Sequence, residues 1–135
     1  MRRLIYISST RTPFTPDELD AILRISRRNN AAVGVTGLLV AGGRRFLQVL
    51  EGPDAAIDTV FERIKQDKRH HAVVVLSRSE ITQASFGQWS MGYAHGGPAG
   101  GGATLPETVA ELLAPITDPN VRGYFEGFAQ VHAAA

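Results

Sequence analysis

Apolar and polar positions recur with two different periods along this chain, and the switches between them mark its elements. From Leu4 to Ser8 the period is two: Leu4, Tyr6 and Ser8 fall on one face, Ile5 and Ile7 on the other, and both faces read as largely buried strand. At Thr15-Pro16-Asp17-Glu18 a capping box with proline at the first helical position opens a helix. Its stripe, Leu19, Ile22, Leu23 and Ser26, follows the helical spacing. Val35–Ala41 and Arg45–Glu51 read as two strands joined by a tight turn at Gly42-Gly43. Gly52-Pro53-Asp54 starts a second helix that runs to about Asp67, with Ile57, Val60, Phe61 and Ile64 on its inner side. The unbroken run Ala72–Leu76 predicts a central strand covered on both faces. A last strand, Gln88–Ala94, puts Trp89, Met91 and Tyr93 on one side.

The order strand, helix, two strands, helix, two strands predicts an α+β, ferredoxin-like βαββαββ arrangement. Its sheet would be five-stranded and mixed, with both helices on one face. Gly96 to Gly102 is a glycine-rich linker. Two short helices follow. The first opens on the capping box Thr104-Leu105-Pro106-Glu107 and carries Leu105, Val109, Leu112 and Leu113. The second starts at Asp118-Pro119 and carries Val121, Tyr124, Phe125 and Phe128. Such stripes must be covered, either by the open face of the sheet or by a partner subunit. The expected division is a domain over 2–95, a linker over 96–104 and a helical cap or output segment over 105–135.

Composition narrows the function only slightly. In 135 residues, 44% hydrophobic and 20% charged content suits one globular domain. Fourteen Lys and Arg against thirteen Asp and Glu leave a charge of +1, so no general electrostatic attraction to nucleic acid or membrane is expected. There is no cysteine, hence no thiolate chemistry, and four scattered histidines do not suggest a metal cage. The N-terminus shows no leader pattern and no apolar span, so a cytoplasmic location is the expectation.

The candidate chemistry sits in the strand Phe46-Leu47-Gln48-Val49-Leu50-Glu51-Gly52. Gln48 shares its face with Phe46 and Leu50, a face that should be buried. A buried amide must find partners or cost roughly 1–3 kcal/mol. Asn29 and Asn30 lie seven residues after Ile22 and Leu23, so they extend the inner stripe of the first helix. They read either as a C-terminal cap or as polar groups aimed at the sheet. If Tyr6 and Gln48 face the helices too, a phenol and three amides meet in an apolar layer. That is either a self-satisfied network or the lining of a planar polar ligand. The basic loop Lys68-Arg69-His70-His71 is either solvated surface or the anion-binding end of such a site. Trp89 and Met91 by themselves read as core packing.

Six stretches together resemble the BLUF domain: Leu4-Ile5-Tyr6, Arg28-Asn29-Asn30, Thr36-Gly37-Leu38-Leu39, the Gln48 strand, Asp67-Lys68-Arg69-His70 and Trp89-Ser90-Met91. The resemblance covers about residues 2–95, in order and with family-like spacing. It implies a blue-light sensor with non-covalent FAD, for which FMN or riboflavin could substitute. By the same resemblance Tyr6 would donate an electron and a proton to the excited flavin, and Gln48 would rearrange between Tyr6 and the ring. Asn29 and Asn30 would hold the ring edge, and Arg69 and His70, oriented by Asp67, would lie at the other end of the cofactor. Trp89 and Met91 would report the state of Gln48.

The expected product is a conformational state, so the protein would be a switch and not an enzyme. No room for a cyclase, phosphodiesterase or DNA-binding module is expected after residue 95, which points to output through a homo-oligomer or a separate signalling protein. Two rivals share the scaffold: an acylphosphatase-like hydrolase and a colourless ligand-binding regulatory module. Ser9-Thr10-Arg11-Thr12-Pro13 is a poor phosphate loop for the first.

Overall fold

The chain runs β1 (Arg2–Ser9), α1 (Pro16–Val33), β2 (Thr36–Gly42), β3 (Arg45–Gly52), α2 (Asp54–Gln66), β4 (His71–Glu80), β5 (Gly92–His95), α3 (Leu105–Leu112) and α4 (Pro119–Val131). The computed structural model describes residues 1–11, 15–69, 71–86, 92–95, 104–114 and 116–132. Trp89, Met91, His70 and most of the glycine-rich linker lie outside the described residues.

One sheet has the order β4-β1-β3-β2-β5. The β1–β3, β1–β4 and β2–β3 pairs are antiparallel, and β2–β5 is parallel. Strand alternation divides the apolar residues between two layers. Leu4, Tyr6, Leu39, Ala41, Phe46 and Leu50 pack with Leu23 of α1 and with Ile57, Val60 and Phe61 of α2. Ile5, Leu38, Val40, Leu47 and Val49 pack on the other face with Leu105 and Val109 of α3 and with Val121, Phe125 and Phe128 of α4. The C-terminal helices therefore cover the second sheet face of their own chain. Phe125 is fully buried there, and burying a side chain of that size stabilises by roughly 1.5–3 kcal/mol.

Three local readings change. The first concerns the asparagines. The helix continues past them to Val33 and is capped by Gly34 in the left-handed region, φ 73°; Asn29 and Asn30 are thus interior helical residues and not the cap. The second concerns the hairpin turn, which falls on Gly43-Arg44 instead of Gly42-Gly43, with Gly43 at φ 59° as the first turn residue. Gly42 ends β2, where a Cβ would stand 2.3 Å from the Cβ of His132. The third concerns the run Ala72–Leu76. It belongs to a longer strand that lies at the sheet edge, with Val74, Val75 and Leu76 exposed. A β-branched run reports preference for extended backbone and says nothing about which strand is flanked on both sides. The last strand is described only over Gly92–His95, so its predicted start at Gln88 is outside the described residues.

Candidate functional site

Tyr6, Gln48 and Leu39 form one row across the sheet, because Tyr6 pairs with Gln48 between β1 and β3 and Gln48 with Leu39 between β3 and β2. Residues in direct register share a face. The row therefore points as a unit towards α1 and α2. Above it lies a cavity of about 260 Å³. Its floor is Tyr6, Leu39, Phe46 and Gln48, and its walls are Leu19, Ile22 and Ile25 of α1 and Val60 and Ile64 of α2. Asn29 and Asn30 enter from α1, and Arg63, Asp67 and Arg69 from the end of α2. Mostly apolar walls with a few converging polar groups are the usual make-up of a small-molecule site.

Tyr6 is 2% exposed, Asn30 3% and Gln48 6%. The Tyr6 hydroxyl donates to Oε1 of Gln48. Its ring also packs on Phe61, with centroids 5.3 Å apart and planes tilted by 51°. Burial pushes the Tyr6 phenol far above its ordinary value, since the phenolate would lose its hydration. The group is a firmly held neutral donor. At the other end, Asp67 binds Arg69 through Nε at 2.9 and 3.1 Å and through Nη2 at 2.5 Å. Asp67 Oδ1 also accepts the Arg69 backbone N–H at 3.0 Å. These bonds to Asp67 raise the arginine above its ordinary value and fix its planar fork at the rim.

Of the residues singled out by sequence, Tyr6, Asn29, Asn30, Gln48, Asp67 and Arg69 line this one cavity. His70, Trp89 and Met91 lie outside the described residues. Sequence reading missed Phe61 as the partner of Tyr6, and Arg63 at the rim. Arg63 follows Val60 by three residues and precedes Asp67 by four, so its place on the inner stripe of α2 was open to inspection.

A polar group also lies under the opposite sheet face. Glu51, with no exposed surface, faces Arg3 in the β1–β3 register. It accepts from Arg3 Nε at 2.8 Å and from the backbone N–H groups of Ser85 and Phe86 at 2.8 and 2.9 Å. Arg3 also donates to Asp118 at 3.0 Å, and Asp118 caps α4. Gln48 and Glu51, three residues apart on β3, thus serve opposite faces of the sheet.

Comparison with known proteins follows the same lines. The family model described as BLUF, sensors of blue-light using FAD, matches residues 1–92. Photoactivated adenylate cyclase subunit beta of Euglena longa is 34% identical over 97 residues, which is 70% of this chain and 11% of that protein. The alpha subunit of Euglena gracilis is 32% identical over 97 residues, 70% of this chain and 10% of its own length. The chain therefore spans about a tenth of these relatives. Among solved structures, BlrB, a BLUF protein in its dark state, superposes with a TM-score of 0.72 at 28% identity, over 96% of both chains. Klebsiella pneumoniae BlrP1, in a manganese and cyclic-diGMP complex, gives 0.81 at 27% identity over 96% of this chain and 32% of the other. Among the described residues no helix is long and apolar enough to cross a membrane, and no group of His, Asp and Glu is placed to hold a metal.

Proposed function

This chain belongs to the BLUF family of blue-light sensors using FAD, and from that premise we propose that it is a light-driven switch holding FAD non-covalently between α1 and α2. The observation that carries the reading is the buried Tyr6–Gln48 hydrogen bond under a cavity also lined by Asn29 and Asn30. The donor set fits an isoalloxazine ring: flat apolar walls for its faces, and a phenol and three amides for its carbonyl and nitrogen edge. FMN or riboflavin would supply the same ring. Arg69, oriented by Asp67, with His70 beside it in sequence, would hold the outer end of the cofactor.

Flavin, when bound, supplies the blue absorption and an oxidising excited state. Tyr6 is the oxidisable side chain at the site. An electron given up by Tyr6 to the excited flavin would make its phenol strongly acidic, and the Gln48 amide oxygen, which already accepts from the hydroxyl, would take that proton. An amide suits that position because it offers an acceptor and two donors on one rotatable group. Once the electron and proton had returned to Tyr6, Gln48 could settle with a different set of partners, and a reversible red shift of the flavin absorption would be the expected signature.

Gln48 sits between Leu47 and Val49, which pack into the α3–α4 layer. A shift of β3 therefore reaches the C-terminal helices directly, and Trp89 and Met91 of the segment before β5 would carry the rest of the signal. We read residues 2–95 as the sensing domain, 96–104 as a linker and 105–135 as the output segment. The output is an oligomer interface or a separate signalling protein, and nothing is turned over. The strand order β4-β1-β3-β2 supports a ferredoxin-like scaffold for this switch.

The test is the visible spectrum of the purified protein before and after blue light, with the cofactor released by heat and identified. A yellow protein that yields FAD and shifts reversibly to the red is expected. A colourless protein that cannot be reconstituted with any flavin would return the fold to the hydrolase or regulatory-module readings.

A further inference from the structure

At the far end of the sheet from the Arg3–Glu51 pair, register brings Arg45, Ser9 and His71 side by side, since Ser9 pairs with Arg45 across β1–β3 and with His71 across β1–β4. Thr10, Arg11 and Arg44 complete the lining of an open cleft of about 460 Å³. None of these residues lines the Tyr6–Gln48 cavity. Arg45 and Ser9 continue the sheet face of Leu47, Val49 and Ile7, the face covered by α3 and α4.

Three features make this more than a chance grouping of surface cations. First, the frame is fixed: the Thr10 N–H donates to the Arg44 carbonyl at 2.8 Å, and Arg44 Nη1 donates to the Arg11 carbonyl at 3.3 Å. Second, the cations lack counter-charges: among the described residues Arg11, Arg44 and Arg45 pair with no carboxylate, whereas Arg3 and Arg69, the arginines of the other two polar clusters, each do. Third, the backbone is distorted at this spot. The β1–β4 register slips between Ile7 and Ser9, and Ala72, next to His71, has φ 52°. A bulge of this kind re-aims a side chain, and a left-handed alanine costs roughly 1–2 kcal/mol unless something holds it.

We propose that Arg11, Arg44, Arg45, Ser9 and His71 form an oxyanion site for the phosphate group of a small molecule, separate from the flavin cavity. Guanidinium forks match phosphate oxygens bidentately, and a serine hydroxyl and a ring N–H add single donors. A multiply charged phosphate would neutralise the cations while bridging the β2–β3 hairpin to the start of β4.

The probe is inorganic pyrophosphate titrated into flavin-loaded protein, followed by amide NMR shifts and calorimetry. Saturable shifts at Ser9, Arg44, Arg45 and His71 are expected. Arg44→Gln and Arg45→Gln, both at exposed positions, should each weaken binding about tenfold, the loss of one charge-assisted contact, and raised salt should weaken it further. Unchanged affinity in both variants, or no saturation at millimolar concentration, overturns the proposal. A second arm compares protein loaded with riboflavin and with FAD. Equal pyrophosphate binding by both supports a separate ligand. Binding only by the riboflavin form, with Arg44→Gln lowering affinity for FAD but not for riboflavin, would assign the oxyanion to the cofactor's own pyrophosphate and overturn the site's independence.

Discussion

Arg3 and Glu51 face one another across β1 and β3 with Nε and Oε2 2.8 Å apart, and both are buried. Through this pair four segments meet: β1, β3, the 85–86 turn and the N-terminus of α4. Removing Glu51 leaves Arg3 with only the partly exposed Asp118 as counter-charge and takes the acceptor from the Ser85 and Phe86 N–H groups; breaking such a buried pair typically costs roughly 3–5 kcal/mol. Glu51→Ala should therefore lower the denaturant midpoint severely. Arg3→Met with Glu51→Leu should cost less than the single change, because no charge is left buried alone, although the Ser85 and Phe86 N–H groups still lose their acceptor. Equal losses in the single and double variants would show that those amides and packing, and not the ion pair, set the cost.

At the other face of β3, Gln48→Leu should keep flavin bound, since the apolar walls remain, and should lose the reversible red shift. Tyr6→Phe removes only the hydroxyl. It should cost about 1 kcal/mol of stability, the usual net worth of a hydrogen bond, and abolish the photocycle while leaving the protein yellow. Difference spectra under blue light check both. A normal shift in the leucine variant would remove Gln48 from the mechanism.

How much of this was legible beforehand follows from what each pattern encodes. Alternation in Leu4–Ser8 and Phe46–Glu51 set Tyr6 with Leu4 and Gln48 with Leu50 on faces that read as buried, but that both belong to one sheet face comes from the β1–β3 register. The helical stripe through Ile22 and Leu23 left Asn29 and Asn30 readable as a cap or as groups aimed at the sheet, and the helix running on to Val33 decides for the second. What alternation does not encode is lateral position in the sheet. Val74, Val75 and Leu76 look central by composition, yet β1, β3 and β2 are the strands flanked on both sides and β4 is left at the edge. Nor does sequence show that Glu51 has its partner in Arg3, because a pair 48 residues apart is created only by the β1–β3 register.

Among the described residues, Tyr6 and His132 make stability depend on pH between about pH 5 and 11. Burial raises the Tyr6 phenol above its ordinary 10.0, so above about pH 10 the unfolded chain loses a proton that the folded one keeps. Stability present below that pH is lost as pH rises. His132 is shifted down from its ordinary 6.5, first by desolvation and then by Arg45. Below about pH 6.5 the unfolded chain binds a proton that the folded one resists, and stability falls as pH falls. Urea midpoints measured between pH 5 and 11 should therefore decline at both ends of the range. Tyr6→Phe should flatten the alkaline limb, and an unchanged limb would place its cause elsewhere.

The contact between the end of α4 and the β2–β3 hairpin can be tested by a rescue. His132, directly after α4, lies on Gly42 at the end of β2, and a Cβ on residue 42 would sit 2.3 Å from the His132 Cβ. Both atoms belong to short, stiff parts of their residues, so one backbone must move. Gly42→Ala should cost roughly 1–3 kcal/mol, the range for overpacking. The Phe128–His132 ring contact, with centroids 4.4 Å apart, should be lost with it. His132→Gly removes the offending Cβ and with it most of the clash. The double variant should then be more stable than the sum of the two single losses predicts, by an interaction energy of about 1 kcal/mol or more. Strict additivity would mean that α4 does not end against the hairpin in solution.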